Sequence, residues 1–156
     1  DYPVGGVEWC DAYASCAWAQ KRLCGRIGGG SNPYLSHDDA RASEWYNACS
    51  MGGTRAYPYG DTLDDAACNK TTATVPVGSK ATCEGGFPGL FDLSGNVREW
   101  EDSCDGMTDR SDICRARGGS IFSYGGAYLS CGFGDTGGRA ARDDNKWFAG
   151  FRCCHD

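Results

Sequence analysis

Cysteine content constrains this chain more than any other feature, because 11 of its 156 residues are cysteine. Such a content is typical of disulfide-bonded proteins from oxidising compartments, since cytosolic thiols stay reduced. Zinc and iron–sulfur sites are the alternative, but they use repeated Cys-x-x-Cys pairs. Here the first six cysteines are widely spaced, at Cys10, Cys16, Cys24, Cys49, Cys68 and Cys83. We therefore predict several disulfides and an extracytoplasmic location, whether secreted, periplasmic or on the cell surface.

Two details of the cysteine pattern restrict the pairing. Cys153 and Cys154 are adjacent, and neighbouring cysteines bond to each other only with strain, so we expect each to reach a different distant partner. The odd total leaves at least one thiol either free or bonded to another chain.

Length and charge exclude several classes of protein. A chain of 156 residues predicts one domain over residues 1–156. A formal net charge of -6 without a Lys/Arg-rich run argues against a nucleic-acid partner, because that binding needs cations to replace counterions. No apolar stretch approaches the ~20 residues that span a bilayer, so we expect a soluble chain without membrane insertion. It begins at Asp1 with neither an initiator Met nor a signal peptide, which predicts a mature product or a fragment.

Helical patterns occur only in the first third of the chain. The first helix is predicted from about Asp11, as N-cap, to Lys21. The second is predicted to open at Ser36, with Asp39 as an acidic variant of the capping box, and to carry Ala42, Trp45, Tyr46 and Cys49 at helical spacing. After Gly52, short apolar pieces alternate with Gly, Asp and Asn, which indicates long ordered loops held by disulfides and by bound cations.

Four motifs follow one another along the chain. They are Val7-Glu8-Trp9-Cys10-Asp11-Ala12 with Ala17-Trp18-Ala19-Gln20-Lys21-Arg22-Leu23; Tyr57-Pro58-Tyr59-Gly60; Gly89-Leu90-Phe91-Asp92-Leu93-Ser94-Gly95-Asn96-Val97-Arg98-Glu99-Trp100; and Arg117-Gly118-Gly119-Ser120 with Gly150-Phe151-Arg152-Cys153. Together they resemble the formylglycine-generating enzyme family, also called the sulfatase-modifying-factor domain. The resemblance covers nearly all of this chain but only the later part of the family's domain. The strands that begin the family's domain are absent here, so another segment or chain is expected to supply them.

The resemblance implies an α+β fold that is formylglycine-generating-enzyme-like and related to C-type lectins. Two helices, few short strands, much ordered loop and several disulfides are expected. The family's recurrent disulfides correspond to Cys16–Cys153 and Cys49–Cys131. Cys104–Cys114 and Cys68–Cys83 are expected as local loop closures, which leaves Cys10, Cys24 and Cys154 for one further bond and one odd thiol.

The family's enzymes oxidise a substrate cysteine with oxygen, using two cysteine thiolates that hold copper, and thiolates are soft ligands suited to Cu(I). The corresponding positions, three and eight residues after Ser120, are Ser123 and Tyr128, and no cysteine occurs between Cys114 and Cys131. The family's tryptophan beside the oxygen pocket is replaced by Arg98. We therefore expect a non-catalytic relative without copper.

Two catalytic interpretations compete with structural roles for the same residues. Cys131 is a candidate for a surviving copper ligand, but a structural half-cystine is the preferred interpretation. Ser120, His37 and Asp11 are candidates for a nucleophile, base and orienter, but no family spacing supports that triad. The resemblance explains Ser120 by a turn, whereas a helix cap explains Asp11 and an exposed position in a first helical turn explains His37.

Calcium is the cofactor that the resemblance implies. The matching oxygen ligands are the carboxylates of Asp92 and Glu99 with the carbonyls of Gly95 and Val97. The alternative is that both carboxylates accept hydrogen bonds from nearby backbone N–H groups. A second family site would require Asn69, the carbonyl of Lys70 and an acid, but the position of that acid falls near Gly78. Asn69-Lys70-Thr71 also forms a glycosylation sequon.

Residues 121–137 mix aromatic side chains with Ser and Gly, a composition that resembles an antibody paratope. In the family this stretch lies on the face that takes substrate, and related domains include variable ligand-binding proteins. We predict contacts to an unidentified protein, peptide or glycan ligand from Ser123, Tyr124, Tyr128, Phe133 and Trp147, with Phe148 as a further candidate. Burial in a loop-rich core is the alternative for each aromatic residue.

Three functions follow from these observations. The preferred one is a non-catalytic secreted or surface ligand-binding module. The alternatives are a copper-dependent oxidase of peptide cysteine with a reworked site, and a structural component of an extracellular assembly.

Overall fold

The computed structural model describes residues 1–134, 138–145 and 149–155. It contains helices α1 (Trp9–Trp18) and α2 (Glu44–Ser50) and strands β1 (Arg22–Leu23), β2 (Arg98–Cys104), β3 (Ile113–Arg117), β4 (Arg139–Ala141), β5 (Ala149–Phe151) and β6 (Cys153–Cys154). Three short 3-10 turns cover Tyr34–Ser36, Ala81–Cys83 and Gly126–Leu129. The α+β class with two helices, few short strands and long ordered loops is confirmed.

Helix α1 begins two residues before the predicted Asp11. Glu8 is the N-cap, and its N–H donates to the carboxylate of Asp11 at 3.4 Å, so Asp11 lies inside the first turn and not before it. The helix ends at Trp18, three residues before the predicted Lys21, because Gln20 has a left-handed backbone with φ of 58°. Local capping therefore displaces both ends of the helix from the apolar pattern.

Helix α2 begins at Glu44, and the prediction that it opens at Ser36 is wrong. Ser36 ends a 3-10 turn, and the carboxylate of Asp39 accepts from the N–H of Arg41 in a tight turn instead of capping a helix. The N-cap is Ser43, whose hydroxyl oxygen accepts from the N–H of Tyr46 at 3.0 Å. The N-cap of α2 therefore lies seven residues after Ser36.

The main sheet has the strand order β4-β3-β2-β5. Strand β2 pairs antiparallel with β3 and parallel with β5, and β4 adds to the outer edge of β3. The apolar face of α1 packs on this sheet through Trp9, Ala12 and Cys16, which contact a cluster that includes Leu23, Trp100, Cys114, Ala116 and Ala149. A second cluster joins α2 to the loops through Trp45, Cys49, Leu93 and Cys131.

Disulfides connect these elements. The four pairs named from the sequence are formed, namely Cys16–Cys153, Cys49–Cys131, Cys68–Cys83 and Cys104–Cys114. The fifth bond is Cys24–Cys154, and the remaining thiol, Cys10, is exposed on α1. Five disulfides indicate a chain that matures in an oxidising environment. Among the described residues, the model has no helix long and apolar enough to cross a bilayer.

Buried asparagines order the loops around the Gly-Asn-Val motif. The N–H of Asn96 donates to the carbonyl of Asn69 at 2.7 Å, and the Asn96 side chain exchanges two hydrogen bonds with the backbone of Val75. Both asparagines are only 1% exposed. The amide nitrogen of Asn69 donates to Ala73 and Asn96, so the sequon asparagine is a structural residue enclosed by its own loop.

Candidate functional site

The two positions that the family's copper-binding cysteines would occupy follow β3, with Ser123 in the turn after the strand and Tyr128 in the 3-10 turn Gly126–Leu129. Gly118 opens the turn with φ of 80°, and a Cβ there would lie 2.5 Å from the carbonyl oxygen of Leu93, so the backbone requires glycine. Ser120 and Ser123 then close the turn, because the Ser120 N–H donates to Ser123 Oγ and the Ser123 N–H donates to the Ser120 carbonyl, each at 2.9 Å. The turn is thus fixed by its own serines.

Ser123 is a turn residue in this structure. Its side chain is buried, with 7% of the residue exposed, and its hydroxyl accepts from the Ser120 backbone. The predicted ligand contact therefore lies beneath the surface, where it shapes the turn that presents its neighbours.

Aromatic side chains project from this turn and from the segment that follows it. Tyr124 is 83% exposed, Phe122 41% and Tyr128 38%. Tyr128 packs against half-buried Phe133 with ring centroids 4.8 Å apart. We call Phe122, Tyr124, Tyr128 and Phe133 the aromatic face. Trp147 and Phe148, the other predicted contacts, lie outside the described residues.

Phe122 is exposed but was not among the predicted contacts, although it lies within residues 121–137, whose composition suggested a binding surface. Its N–H donates to Ser120 Oγ at 3.3 Å, which places Phe122 on the outer corner of the turn. Ile121, its neighbour in the turn, is buried at 4% exposure, and no feature of the sequence distinguished these two apolar residues.

Cysteine chemistry at this site is confined to a disulfide. Cys131 is fully buried and bonded to Cys49, so its sulfur is not a thiolate. All eleven cysteines lie among the described residues, and Cys10 is the one without a disulfide partner. Cys10 lies on α1, far along the chain from the turn at Ser120.

A buried arginine at the end of β3 stabilises the backbone next to the turn. Arg117, 1% exposed, donates to the carbonyls of Cys131 at 2.7 Å and His37 at 3.0 Å, and its guanidinium lies over the Trp45 ring. Its Nε faces Glu101 across 3.8 Å. Complete burial raises the pKa of Glu101, while Arg117 and the hydroxyl of Ser43 oppose that change.

The surroundings of His37 differ from those predicted. It follows a 3-10 turn, is half-buried, and packs against Gly134 instead of lying exposed in a first helical turn. Burial, with the charges of Arg115 and Arg117, lowers its pKa to about 4. Its described contacts join it to neither Ser120 nor Asp11, so the structure does not assemble the proposed triad.

Arg98 occupies the place of the family's tryptophan at the start of β2. Its side chain is half-buried, and its Nε is shielded from solvent without a hydrogen-bond acceptor. Burial lowers the pKa of Arg98, whereas the nearby Tyr128 phenol and Asp144 carboxylate favour the charged form. The charge of Arg98 is therefore stabilised by the Tyr128 phenol of the aromatic face and by the Asp144 carboxylate.

The predicted calcium ligands lie at a separate cleft of about 500 Å3, whose lining includes Asp92, Val97 and Glu99. Asp92 is 7% exposed; its Oδ2 accepts from the Gly78 N–H at 2.8 Å, and its Oδ1 is buried without a partner. Burial and the nearby Glu99 raise the pKa of Asp92. An unpartnered buried carboxylate oxygen fits a cation site.

The carboxylate of Glu99 is less available to a cation than that of Asp92, because it already accepts several hydrogen bonds. Its carboxylate accepts from Arg152 Nη2 at 2.5 Å and Nε at 2.6 Å, and from the indole N–H of Trp45 at 2.8 Å. Arg152 belongs to one of the four sequence motifs, but its pairing with Glu99 was not predicted. Gly95 and Val97 lie between the two acids, so the four predicted ligands share one loop.

Comparisons with known proteins place these features in a family. A model described as the sulfatase-modifying factor enzyme 1-like domain matches residues 1–156. A protein named inactive C-alpha-formylglycine-generating enzyme 2 from Bos taurus is 33% identical over 116 residues, covering 64% of this chain and 32% of that protein. Its namesake from Mus musculus is 32% identical with the same coverage. The chain thus matches about a third of the length of these relatives.

Two further similarities are more distant. Serine/threonine-protein kinase pkn1 of Chlamydia caviae is 31% identical over 105 residues, covering 64% of this chain and 13% of that protein. The crystal structure of CarF superimposes with a TM-score of 0.58 at 20% identity, covering 97% of this chain and 66% of CarF. The latter similarity shows a shared fold.

Proposed function

The chain belongs to the sulfatase-modifying factor enzyme 1-like family, and from that premise we propose that it is a non-catalytic, extracytoplasmic member that binds a ligand through the aromatic face. The observation that carries the proposal is the replacement of the copper-binding pair by Ser123, which locks a turn, and Tyr128, which contributes to the face. A hydroxyl and a phenol are poor ligands for Cu(I).

Loss of copper chemistry has a direct test. The chain should not bind Cu(I) in competition with a chromogenic chelator, and it should not oxidise a cysteine-containing peptide in air. The double variant S123C/Y128C should regain Cu(I) binding, because it restores two thiols to the positions that the family uses. The single variant S123C is the matched control. Peptide-cysteine oxidation by the unaltered chain with copper would support the oxidase alternative and contradict the proposal.

Composition and exposure support binding by the aromatic face. Aromatic side chains bury large areas, and tyrosine does so at a small cost in side-chain entropy and is enriched at binding hot spots. Tyr124 is 83% exposed, and a ring that is this open to solvent has no role in packing the core. The ligand class consistent with such a surface is a protein, a peptide or a glycan.

Selection from a phage-displayed random peptide library tests this surface without knowledge of the natural ligand. Most selected clones should lose binding to the variant Y124A/Y128A by at least tenfold, while its melting temperature stays close to that of the parent. The control is W18A/L35A, because Trp18 and Leu35 are 89% and 84% exposed and lie outside the face. Clones that depend on Trp18 and Leu35 instead would contradict the proposal.

Calcium is proposed as a structural ion of the loop from Asp92 to Glu99. The supporting observation is the buried Oδ1 of Asp92. Asp92 and Glu99 would hold the ion with the carbonyls of Gly95 and Val97, and a hard cation prefers such oxygen ligands. Its contribution would be stability of the loop.

A further inference from the structure

The Tyr57-Pro58-Tyr59-Gly60 motif has no part in the proposed binding function, yet it borders a cavity of about 430 Å3. The residues that line this cavity include Tyr59, Asp61, Thr62, Asp64, Ala67 and Thr82. Two of these side chains are acidic, three carry a hydroxyl group, and no described residue of the lining is basic. A cavity that combines an aromatic ring with a few polar groups is the usual form of a binding site.

Several lining residues are held in place by the fold. Ala67 and Thr82 immediately precede the two half-cystines of Cys68–Cys83, and the hydroxyl of Thr82 donates to the carbonyl of Ala67 at 2.7 Å. The Tyr59 ring stacks on the ring of Tyr57, with centroids 5.5 Å apart. A cavity whose lining is fixed in this way needs little ordering when a ligand binds, which favours binding.

The two carboxylates of the cavity have no cationic partner among residues 1–134, 138–145 and 149–155. Asp61 and Asp64 each accept a hydrogen bond from one backbone N–H, at 3.2 Å and 2.9 Å, through Oδ1. The cations nearby in sequence bind elsewhere, because Lys70 pairs with Asp65 and Arg55 donates to a backbone carbonyl. The cavity therefore keeps two acceptor groups for a cation from outside the chain.

This combination of groups favours an organic cation over a metal ion. An aromatic ring attracts ammonium and guanidinium groups, and carboxylates and hydroxyls accept their hydrogen bonds. Among the described residues, no cluster of three metal-ligating groups includes Asp61 or Asp64, and the cavity is large for a bare ion. The formal net charge of -6 also attracts cationic ligands at long range.

The cavity adjoins the aromatic face at two contacts. Leu63, which lies between two lining residues, packs on Gly126, where a Cβ would come within 2.5 Å of Leu63 Cδ2. Gly126 begins the 3-10 turn that contributes one tyrosine to the face. The N–H of Cys131 donates to the carbonyl of Ala56 at 2.8 Å, and the N–H of Ala56 donates to Asp61. A peptide on the aromatic face is therefore next to the cavity.

We propose that the cavity lined by Tyr59, Asp61 and Asp64 is a subsite for a basic side chain of the peptide that the aromatic face binds. This inference rests on the proposed binding function and adds the chemical class of the ligand, a peptide with Arg or Lys beside its contacts to the face. Arginine is the better match, because a planar guanidinium stacks on aromatic rings and presents parallel N–H groups to carboxylates.

N-acetyl-arginine methylamide is the probe, and the corresponding citrulline compound is its neutral isostere. In 1H–15N spectra of the unaltered chain, the arginine compound should shift the backbone signals of Gly60 and Thr62 in a concentration-dependent way. The citrulline compound should leave both signals in place. The corresponding lysine compound distinguishes the two basic groups, and it should shift the same signals only at higher concentration because an ammonium does not stack in this way.

The variant D61N/D64N removes both charges and retains a side-chain oxygen for each backbone N–H. It should weaken binding of the arginine compound about fivefold at an unchanged melting temperature. The control D11N/D143N removes the same number of charges at exposed positions outside the cavity, so it should leave the affinity unchanged. Comparison of arginine with citrulline uses the unaltered chain and stays valid if D61N/D64N alters folding.

The possible outcomes separate the two proposals. Equal shifts by the arginine and citrulline compounds, or arginine binding that persists in D61N/D64N, overturn the subsite. Selected peptides that depend on Tyr124 and Tyr128 but keep their affinity when every Arg and Lys is changed to Gln also overturn it, and they leave the aromatic face as a binding surface. Arginine-selective shifts at Gly60 without any peptide that depends on the two tyrosines contradict the proposed function, whereas the cation selectivity of the cavity stands.

Discussion

His37 illustrates how a single residue in this chain departs from its sequence context. Nothing in the local sequence marks it as buried, yet Arg115 and Arg117, which are distant in sequence, act on it from strand β3. A neutral imidazole tolerates two neighbouring guanidinium groups, whereas an imidazolium does not. The residue is therefore expected to respond to acid.

We expect stability to fall as the pH decreases from about 6.5 to about 4 through the titration of His37. The unfolded chain protonates this histidine near 6.5, whereas the folded chain does so only at about 4. Between these values the unfolded state binds more protons, so acid favours unfolding.

Urea unfolding of the parent and of H37Q at several pH values measures this effect. The difference in stability between them should change across that window and be constant above it. The control H155Q alters an exposed histidine. A constant difference between the parent and H37Q at every pH would contradict the assignment.

At the scale of the elements, the sequence predicted the type of a helix better than the residues at which it begins and ends. Trp45 and Cys49 indicated α2 correctly because their spacing places both on its buried face. The predicted start of α2 was wrong because Ser36 and Asp39 have the sequence pattern of an N-terminal cap. In the folded chain the N-cap is Ser43, whose hydroxyl also donates to the carboxylate of Glu101 at 2.6 Å. Glu101 lies 58 residues away in sequence, so local sequence does not contain this information.

The candidate site was predictable only in part for the same reason. Tyr124 and Tyr128 were recognisable from the composition of their segment, and the replacement at Arg98 from the motif. The burial of Ser123 and the pairing of Glu99 with Arg152 depend on contacts made by the folded turn and by strands far apart in sequence.

Calcium binding is a prediction about one element, the loop from Asp92 to Glu99. If calcium is present at 100 times its dissociation constant, the free energy of unfolding rises by about 2.7 kcal/mol, and the melting temperature by roughly 5 to 10 °C. Thermal melts in calcium and in a chelator measure this. D92N should lose most of the increase, and the exposed control D143N should keep it. Identical melts of the parent in both buffers would contradict the site.

At the scale of the whole molecule, two disulfides act on the same pair of segments. Cys16–Cys153 and Cys24–Cys154 both join the region of α1 and β1 to β6, with sequence separations of 137 and 130. Once either bond exists, the other closes only a small ring, because Cys16 is close to Cys24 in sequence and Cys153 is adjacent to Cys154. Each bond is thus partly redundant.

Removal of these two bonds should be strongly non-additive. Replacing either pair by alanine should cost about 3 kcal/mol, the value for a short ring, whereas removing both should cost about 8 kcal/mol because a long loop is then released. Urea unfolding in a double-mutant cycle measures by how much the loss for both bonds exceeds the sum of the two single losses, which we expect to be about 2 kcal/mol.

The control pair for this cycle is Cys16–Cys153 with Cys104–Cys114, which closes a loop of 10 residues inside the long loop and hardly changes its length. Its effects should add. Additive losses for the two bonds to β6 would show that they do not share a loop.

The same two bonds determine what happens to a molecule cut by a protease. Any single cleavage between Cys24 and Cys153 produces two pieces that remain covalently attached at both bonds. The long loops, the usual points of attack, all lie within this interval. A clipped molecule would therefore keep its mass on a non-reducing gel and separate into fragments only after reduction.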